Sequence, residues 1–578
     1  MLNFETLNIY NSNINNFRNV NVEQKNKELI VIPKAFGLEM EATYIINPLT
    51  TEDRFESFYV PSISKIITYI DKKYGADKYK YIQEAEVSGR TCAGVSIIKP
   101  DPRHSMLEIA TDQAFGFKKT LEFDDLLDYS TYLIKIQKNA IKDLNLFFKK
   151  EKLYKNRKYK SIVPYPYAMS NRLKNAEIIL NNKKDTKNKT NYTGSYHVTI
   201  TIPYNPLIKS LDVYYENYKR YINQFQWIEP MIIAFYTTTD MRGIGSEKVR
   251  ARASYRILMS GWGNPAGSDV RKFDQGLTRK VNIPLYWRKG LNFEGMEKLE
   301  KYCADPKKKY AHDYVDPDRD LYDMGGDFRT PSGDHGQDWS VRDRPLGGPV
   351  EMRILDFFPP QHMASLLRIL AFIIENATRT ENKIYVYKDK DWIKTIQNVF
   401  KEGWCAKIPK GYINKLEKAL DLKFPKKPLM LDSFFDVFLN TLYKKNKNGF
   451  YVNQLLRKDY KKQPKLTKSN PNRESWDFGF LLKLSDNILI RNKIKKVFTN
   501  INKMSLKEVE KYYKKNMTSR WKNNMIDIIY FFELRGGIKI IKDNNGFIKT
   551  INVNNKKIIN IVDNYEKELF KLWPNLHK

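Results

Sequence analysis

Cysteine is nearly absent from this chain: 578 residues hold three, Cys92, Cys303 and Cys405, far apart. They show neither the spacing of metal ligands nor an even disulfide set. A reducing compartment fits. Long apolar runs are missing as well. The stretch 363–377 is interrupted by Arg368 and falls short of the roughly 20 residues that cross a bilayer. The amino terminus, Met1-Leu2-Asn3-Phe4-Glu5-Thr6, shows neither the cationic segment nor the apolar run of a secretory leader. These absences predict an intracellular protein, cytoplasmic or in another reducing compartment, not secreted and without a membrane partner. Histidine is scarce too, and His104, His312, His335 and His362 have no partners at ligand spacing. They read as loop or surface residues.

Acid is in short supply at one end. Residues 401–578 hold 39 basic and 17 acidic side chains, a net of +22, whereas residues 1–400 hold 61 and 49, a net of +12. A near-balanced front and a strongly basic back suggest two jobs. Compositional drift toward Lys, Asn and Ile is the plain alternative. The other is a polyanion partner, nucleic acid above all, held by residues 400–578.

What the chain does have is four strand-like segments with polar residues on one side. They are Gly37-Leu38-Glu39-Met40-Glu41-Ala42, Met106-Leu107-Glu108-Ile109-Ala110-Thr111, Ser195-Tyr196-His197-Val198-Thr199 and Glu351-Met352-Arg353-Ile354. Alternation of apolar and polar residues marks a strand with one face in a core. Leu38, Met40 and Ala42 share a face against Glu39 and Glu41, and Tyr196 and Val198 share one against Ser195, His197 and Thr199. A solvated strand prefers Thr, Lys or Ser at its polar positions. Segments offering Glu-x-Glu, Glu, His and Glu-x-Arg read instead as one shared site, and clustered carboxylates call for a cation such as Mg²⁺. Taken singly each has a plain reading: His197 as a structural hydrogen-bonder, Glu351 and Arg353 as a same-face ion pair.

In this order the four segments resemble the glutamine synthetase and glutamate–cysteine ligase superfamily, above all its amidoligase (carboxylate–amine ligase) branch. That branch shows Gly-x-Glu-x-Glu, then Glu-x-x-Thr, then Gly-x-His-x-His, then Glu-x-Arg before a long helix. The counterparts here are Glu39 and Glu41, Glu108 and Thr111, His197, and Glu351 and Arg353. Thr199 stands where the second histidine is expected, and one extra residue separates Gly194 from His197. The resemblance spans roughly residues 30–380. It implies ATP and Mg as cofactors, with Glu39, Glu41, Glu108, His197 and Glu351 around the metal. Arg353, Arg256 and Arg329 would meet the transferring phosphate or a substrate carboxylate. The implied reaction forms an amide or isopeptide bond through an acyl phosphate, on an amino-acid, peptide or protein substrate. Such chemistry relies on charge neutralisation of the moving phosphoryl group. A catalytically decayed ligase fold, serving as a nucleic-acid-binding or structural protein through its basic end, is the alternative.

The expected fold is α+β: an antiparallel or mixed sheet with packed helices, resembling the glutamine synthetase catalytic domain, followed by a basic, mainly helical domain. The expected divisions are a polar lead-in over 1–30, a catalytic domain over 31–385 and the basic domain over 386–578. Helices are predicted over 63–73, 121–150, 211–225 (broken at Trp227 and Pro230), 361–376, 392–399, 413–422, 505–515 and 521–534. A hairpin is predicted from 538 to 552, and helix, helix, hairpin fits either a winged-helix-like module or a packing domain that supports the catalytic sheet. Asp316, Asp318, Asp320 and Asp327 have calcium-loop spacing, but Leu321 replaces the needed glycine. The glycines of 261–271 are spaced too widely for a dinucleotide fingerprint.

Overall fold

The computed structural model describes residues 23–25, 28–30, 36–46, 86–87, 90–91, 98–100, 106–115, 162–164, 166–168, 194–200, 211–239, 350–380, 389–449 and 465–574, with isolated positions between them. The predicted helix over 63–73, the calcium-like loop and the glycines of 261–271 lie outside the described residues. Between 130 and 146 every described position is helical.

The alternation of the four polar-studded segments does produce strands, and those strands lie side by side. In chain order the main sheet contains β1 (Phe36–Ile46), β2 (Ile98–Pro100), β3 (Met106–Phe115), β4 (Ile162–Pro164), β5 (Ser195–Ile200) and β6 (Val350–Asp356). The spatial order is β6-β5-β1-β3-β2, with β4 paired to the end of β1, and every pairing is antiparallel. The motif strands β3, β1, β5 and β6 are therefore consecutive neighbours. Leu38, Met40, Ala42, Tyr196, Val198, Met352 and Leu355 are all buried and make one apolar face. The Tyr196 ring stacks on Phe357, and its hydroxyl donates to the Phe358 carbonyl at 2.8 Å.

Among the described residues, eleven α-helices have defined bounds. They are α1 (Leu211–Phe235), α2 (Met363–Arg379), α3 (Lys390–Glu402), α4 (Lys410–Leu420), α5 (Leu431–Asn446) and α6 (Pro471–Asp486). Beyond these come α7 (Ile488–Thr499), α8 (Leu506–Asn516), α9 (Met525–Leu534), α10 (Asn555–Asp563) and α11 (Tyr565–Leu572). The architecture is α+β. Helix α2 begins just past Pro359-Pro360, as expected, and is buried along nearly its whole length. The predicted helix over 521–534 is two pieces, a 3-10 turn over Ser519–Asn524 and then α9.

The predicted break at Trp227 and Pro230 is not there; α1 runs through both to Phe235. An interior proline offers no N–H to the carbonyl four residues back, and its ring crowds that carbonyl. Here the carbonyl belongs to Gln226, and Trp392 Nε1 on α3 donates to it at 2.8 Å. Tyr412 Oη on α4 donates to the adjacent Trp227 carbonyl at 2.6 Å. Two donors from distant sequence thus satisfy the opened turn, which local pattern cannot reveal.

These same bonds cross the boundary expected near residue 386. Further buried ties cross it as well. Arg252 pairs with Asp527, the Thr239 N–H donates to Ser475 Oγ at 3.0 Å, and Asn376 Nδ2 donates to the Leu420 carbonyl at 2.9 Å. His362, expected at the surface, is buried, with Nε2 2.9 Å from Glu474 Oε2. Tyr167 donates to the same carboxylate oxygen at 3.3 Å.

Near the carboxyl end a second sheet contains β7 (Lys503–Ser505), β8 (Ile538–Lys542) and β9 (Ile548–Val553), in the order β7-β9-β8. The predicted hairpin is present. Its turn is closed by Asp543, whose Oδ1 accepts from the Asn545 and Phe547 N–H groups at 2.9 and 3.0 Å. Gly546 takes a positive φ of 83° there. A capping box of Ser505 and Glu508 starts α8.

Candidate functional site

Residues directly opposite one another in an antiparallel pair project to the same side of a sheet, and so do residues two apart on one strand. Applying this register across the motif strands gives a polar face. Glu41 lies opposite Glu108 on β3 and opposite Ser195 on β5, and Ser195 lies opposite Asp356 on β6. Lys99 on β2 extends that row beyond Glu108. One step along β1, Glu39 lies opposite Ala110 and His197. Another step on, Gly37 lies opposite Thr199, which lies opposite Glu351.

Strand β6 carries an irregularity at its centre. Met352 pairs with Val198 and Leu355 with Tyr196, so Arg353 and Ile354 together occupy the register position opposite His197. This is a bulge, which adds one residue and shifts the parity of everything after it. Asp356 reaches the polar row only because of that extra residue.

Three of the polar side chains form a buried cluster. Ser195 Oγ donates to Glu41 Oε2 and lies 3.5 Å from His197 Nε2, which is 3.7 Å from Glu41 Oε1. Glu41 is 6% exposed, Ser195 0% and His197 1%, so the carboxylate depends on these neighbours rather than on water. Asp356, also buried, accepts from the Thr238 N–H at 2.8 Å, which ties the end of β6 to the turn after α1.

The expected site residues divide as follows. Glu41 and His197 are brought into direct contact. Glu39, Glu108, Glu351 and Arg353 are placed by backbone register on or beside the same rows, and their side chains lie outside the described set. Arg256 and Arg329 lie outside the described residues altogether. Among the described residues no group of three or more His, Cys, Asp and Glu side chains could hold a metal. Ser195 and Asp356 are additions. Ser195 was legible from its shared parity with His197; Asp356 was hidden by the bulge.

By register, Glu39, Glu41, Glu108, Ser195, Thr199, Glu351 and Asp356, all oxygen-bearing residue types, share these rows. Hard oxygen donors suit Mg²⁺ better than a thiophilic metal. Like charges directly opposite in adjacent strands destabilise a sheet, and the Glu41–Glu108 pair is such a juxtaposition. Lys99, opposite Glu108 on its other side, brings a residue of opposite charge to the same row.

Comparison with known proteins adds little chemistry. No protein-family model matches the chain. Over 294 residues it is 22% identical to the uncharacterized protein R704 of Acanthamoeba polyphaga mimivirus. That match covers 50% of this chain and 46% of R704, so the chain spans about half the length of the relative it matches. Among the described residues, no helix is long and apolar enough to cross a membrane.

Proposed function

We propose that the polar face of the main sheet is the catalytic face of an ATP- and Mg²⁺-dependent carboxylate–amine ligase, which forms an amide or isopeptide bond on an amino acid, peptide or protein. The observation that carries this reading is the cross-strand row Glu108–Glu41–Ser195–Asp356, with Glu39 opposite His197 one step away. A sheet gains nothing from gathering acids this way unless a cation is to be held. The apolar reverse face, buried at its described residues on β1, β5 and β6, makes these strands a rigid platform for such a set.

In this reading Glu39, Glu41, Glu108 and Glu351 hold Mg²⁺, which would supply charge neutralisation and alignment of the ATP phosphates. Ser195 fixes the Glu41 carboxylate by its hydrogen bond, so the group is oriented before substrate arrives. His197, beside the same carboxylate, offers its imidazole to the metal or to a phosphate oxygen. Arg353 stands at the bulge opposite His197, where a guanidinium would face the transferring phosphoryl group. Arg256 and Arg329 are assigned to phosphate or substrate carboxylate on the strength of the resemblance alone. The second reading, a ligase fold with a decayed site, rests on Thr199. It holds a hydroxyl at the register position opposite Glu351, where the resembled branch has histidine.

Thermal unfolding with and without Mg²⁺ tests the metal assignment. Binding to the folded state alone raises the melting temperature with ion concentration. Glu108→Gln should raise the melting temperature of the metal-free protein, by relieving repulsion from Glu41, and should blunt the Mg²⁺-dependent rise. A wild-type protein indifferent to Mg²⁺ and to Mg²⁺ with ATP overturns the reading.

A further inference from the structure

The carboxyl-terminal elements run α7, β7, α8, α9, β8, β9, with the three strands paired in the order β7-β9-β8. In helix-turn-helix proteins, the second helix of the pair enters the major groove and reads bases. Here that position belongs to α9, Met525–Leu534, and it is closed off. Met525, Asp527, Ile528, Ile529, Tyr530, Phe531 and Phe532 are buried, and Asp527 is committed to Arg252. No helix is offered for base reading at this position.

The first helix of the pair is built differently. On α8 Val509 and Tyr513 face the core, while Lys507, Lys511, Lys514 and Lys515 are exposed. The two acids of the helix are both engaged. Glu508 closes the capping box with Ser505, and Glu510 pairs with Lys514. That leaves Lys507, Lys511 and Lys515 without an ion pair among the described residues, at intervals of four along one face. Eight residues of helix span about 12 Å, the axial length of three to four nucleotides of one duplex strand. Further exposed cations flank the helix along the chain. Tyr513 Oη donates to the Trp521 carbonyl at 2.9 Å, pinning the 3-10 turn Ser519–Asn524 to α8 with Arg520 and Lys522 exposed on either side of buried Trp521. On the other side of α8, Lys503 is exposed on β7.

We infer that the strip from Lys503 to Lys522, centred on the outer face of α8, is a docking surface for the phosphate backbone of nucleic acid, without base specificity. It goes beyond the ligase reading and does not depend on it. Between 503 and 522 the sequence has seven cations and two carboxylates, so the charge complements a polyanion. An anionic membrane is the poorer fit. Surface-binding helices insert an exposed apolar face, and the apolar face of α8 is already spent on the core. Phosphate contacts need no such face.

The test uses the full-length protein and fluorescence anisotropy with mixed-sequence DNA and RNA duplexes and single strands, over a range of salt concentrations. Vesicles rich in phosphatidylserine and an acidic polypeptide serve as competing probes. Wild type should bind nucleic acid with a steep salt dependence and equal affinity for unrelated sequences. The triple variant Lys507→Ala, Lys511→Ala, Lys515→Ala removes exposed side chains only and should keep the wild-type melting temperature. Its log–log salt slope on duplex DNA should be shallower by about 2 to 3, near 0.9 for each phosphate no longer neutralised. A second variant, Lys493→Ala with Lys496→Ala on α7, should bind as wild type. A triple variant with unchanged slope, tighter binding to vesicles or acidic polypeptide than to nucleic acid, or a strong preference for one sequence would each overturn the inference.

Discussion

The hydroxyl of Ser195 donates to the carboxylate of Glu41 from the neighbouring strand, where register alone places the two residues opposite each other. Both residues are buried. Leaving a buried acceptor without its donor costs about 1–3 kcal/mol. Ser195→Ala should therefore lower unfolding free energy by about that amount in denaturant titration. If Glu41 serves a metal, the same variant should also weaken the Mg²⁺-dependent rise in melting temperature. Unchanged stability in Ser195→Ala would show that the hydroxyl does not support the carboxylate.

A second prediction concerns Trp392 and Pro230. Trp392→Phe keeps most of the buried ring but removes the indole donor to the Gln226 carbonyl, and should cost about 1–3 kcal/mol. In a Pro230→Ala background the helix supplies its own N–H to that carbonyl, so the cost should shrink. A double-mutant cycle in urea checks this: the two changes should couple by about 0.5 kcal/mol or more. Strict additivity would mean that the indole does not replace the missing donor.

Glu229, on α1 beside Pro230, is fully buried and neither carboxylate oxygen has a hydrogen-bond partner. Burial holds its carboxyl well above the ordinary range. Tyr412 faces it, with a phenol raised by burial and by Glu229 itself. In the unfolded chain a glutamate ionises near about 4.3. Above that pH unfolding releases a proton, so stability falls as pH rises, until the folded-state carboxyl also ionises. Glu229→Gln should flatten this part of the stability–pH curve whatever its offset. An unchanged slope would show that the carboxyl does not titrate with folding.

The strands of the candidate site were legible because alternation is a local property. Leu38, Met40 and Ala42 announce one buried face and Glu39 and Glu41 the other. The adjacency of those strands was legible only through the order of the motifs, since nothing local in Glu108 or His197 names a neighbour. What local pattern concealed has definite causes. The bulge at Arg353 and Ile354 changes parity within six residues and carries Asp356 onto the polar row. The helix through Pro230 depends on Trp392 and Tyr412, far along the chain. His362 is scarcely distinguishable in sequence from a surface histidine, and only packing brings Glu474 to it. The hairpin and the capping box, by contrast, are written in contiguous residues, Asp543 to Gly546 and Ser505 to Glu508.

The central claim is that the polar sheet face performs ATP-dependent ligation, and phosphate release from ATP tests it most directly. Candidate acids and amines are supplied to the purified full-length protein with Mg²⁺, singly and together, alongside Glu351→Gln. That substitution preserves size and hydrogen bonding but removes the charge assigned to Mg²⁺. The account predicts release only when an acid and an amine are both present, with the product amide detectable by mass. It predicts that Glu351→Gln folds like wild type and turns over slower by about two or more orders of magnitude, the scale for losing one electrostatic stabiliser. Turnover in Glu351→Gln equal to that of wild type would contradict the site, and a wild type that binds Mg²⁺ and ATP yet never turns over with any acid and amine would contradict the activity.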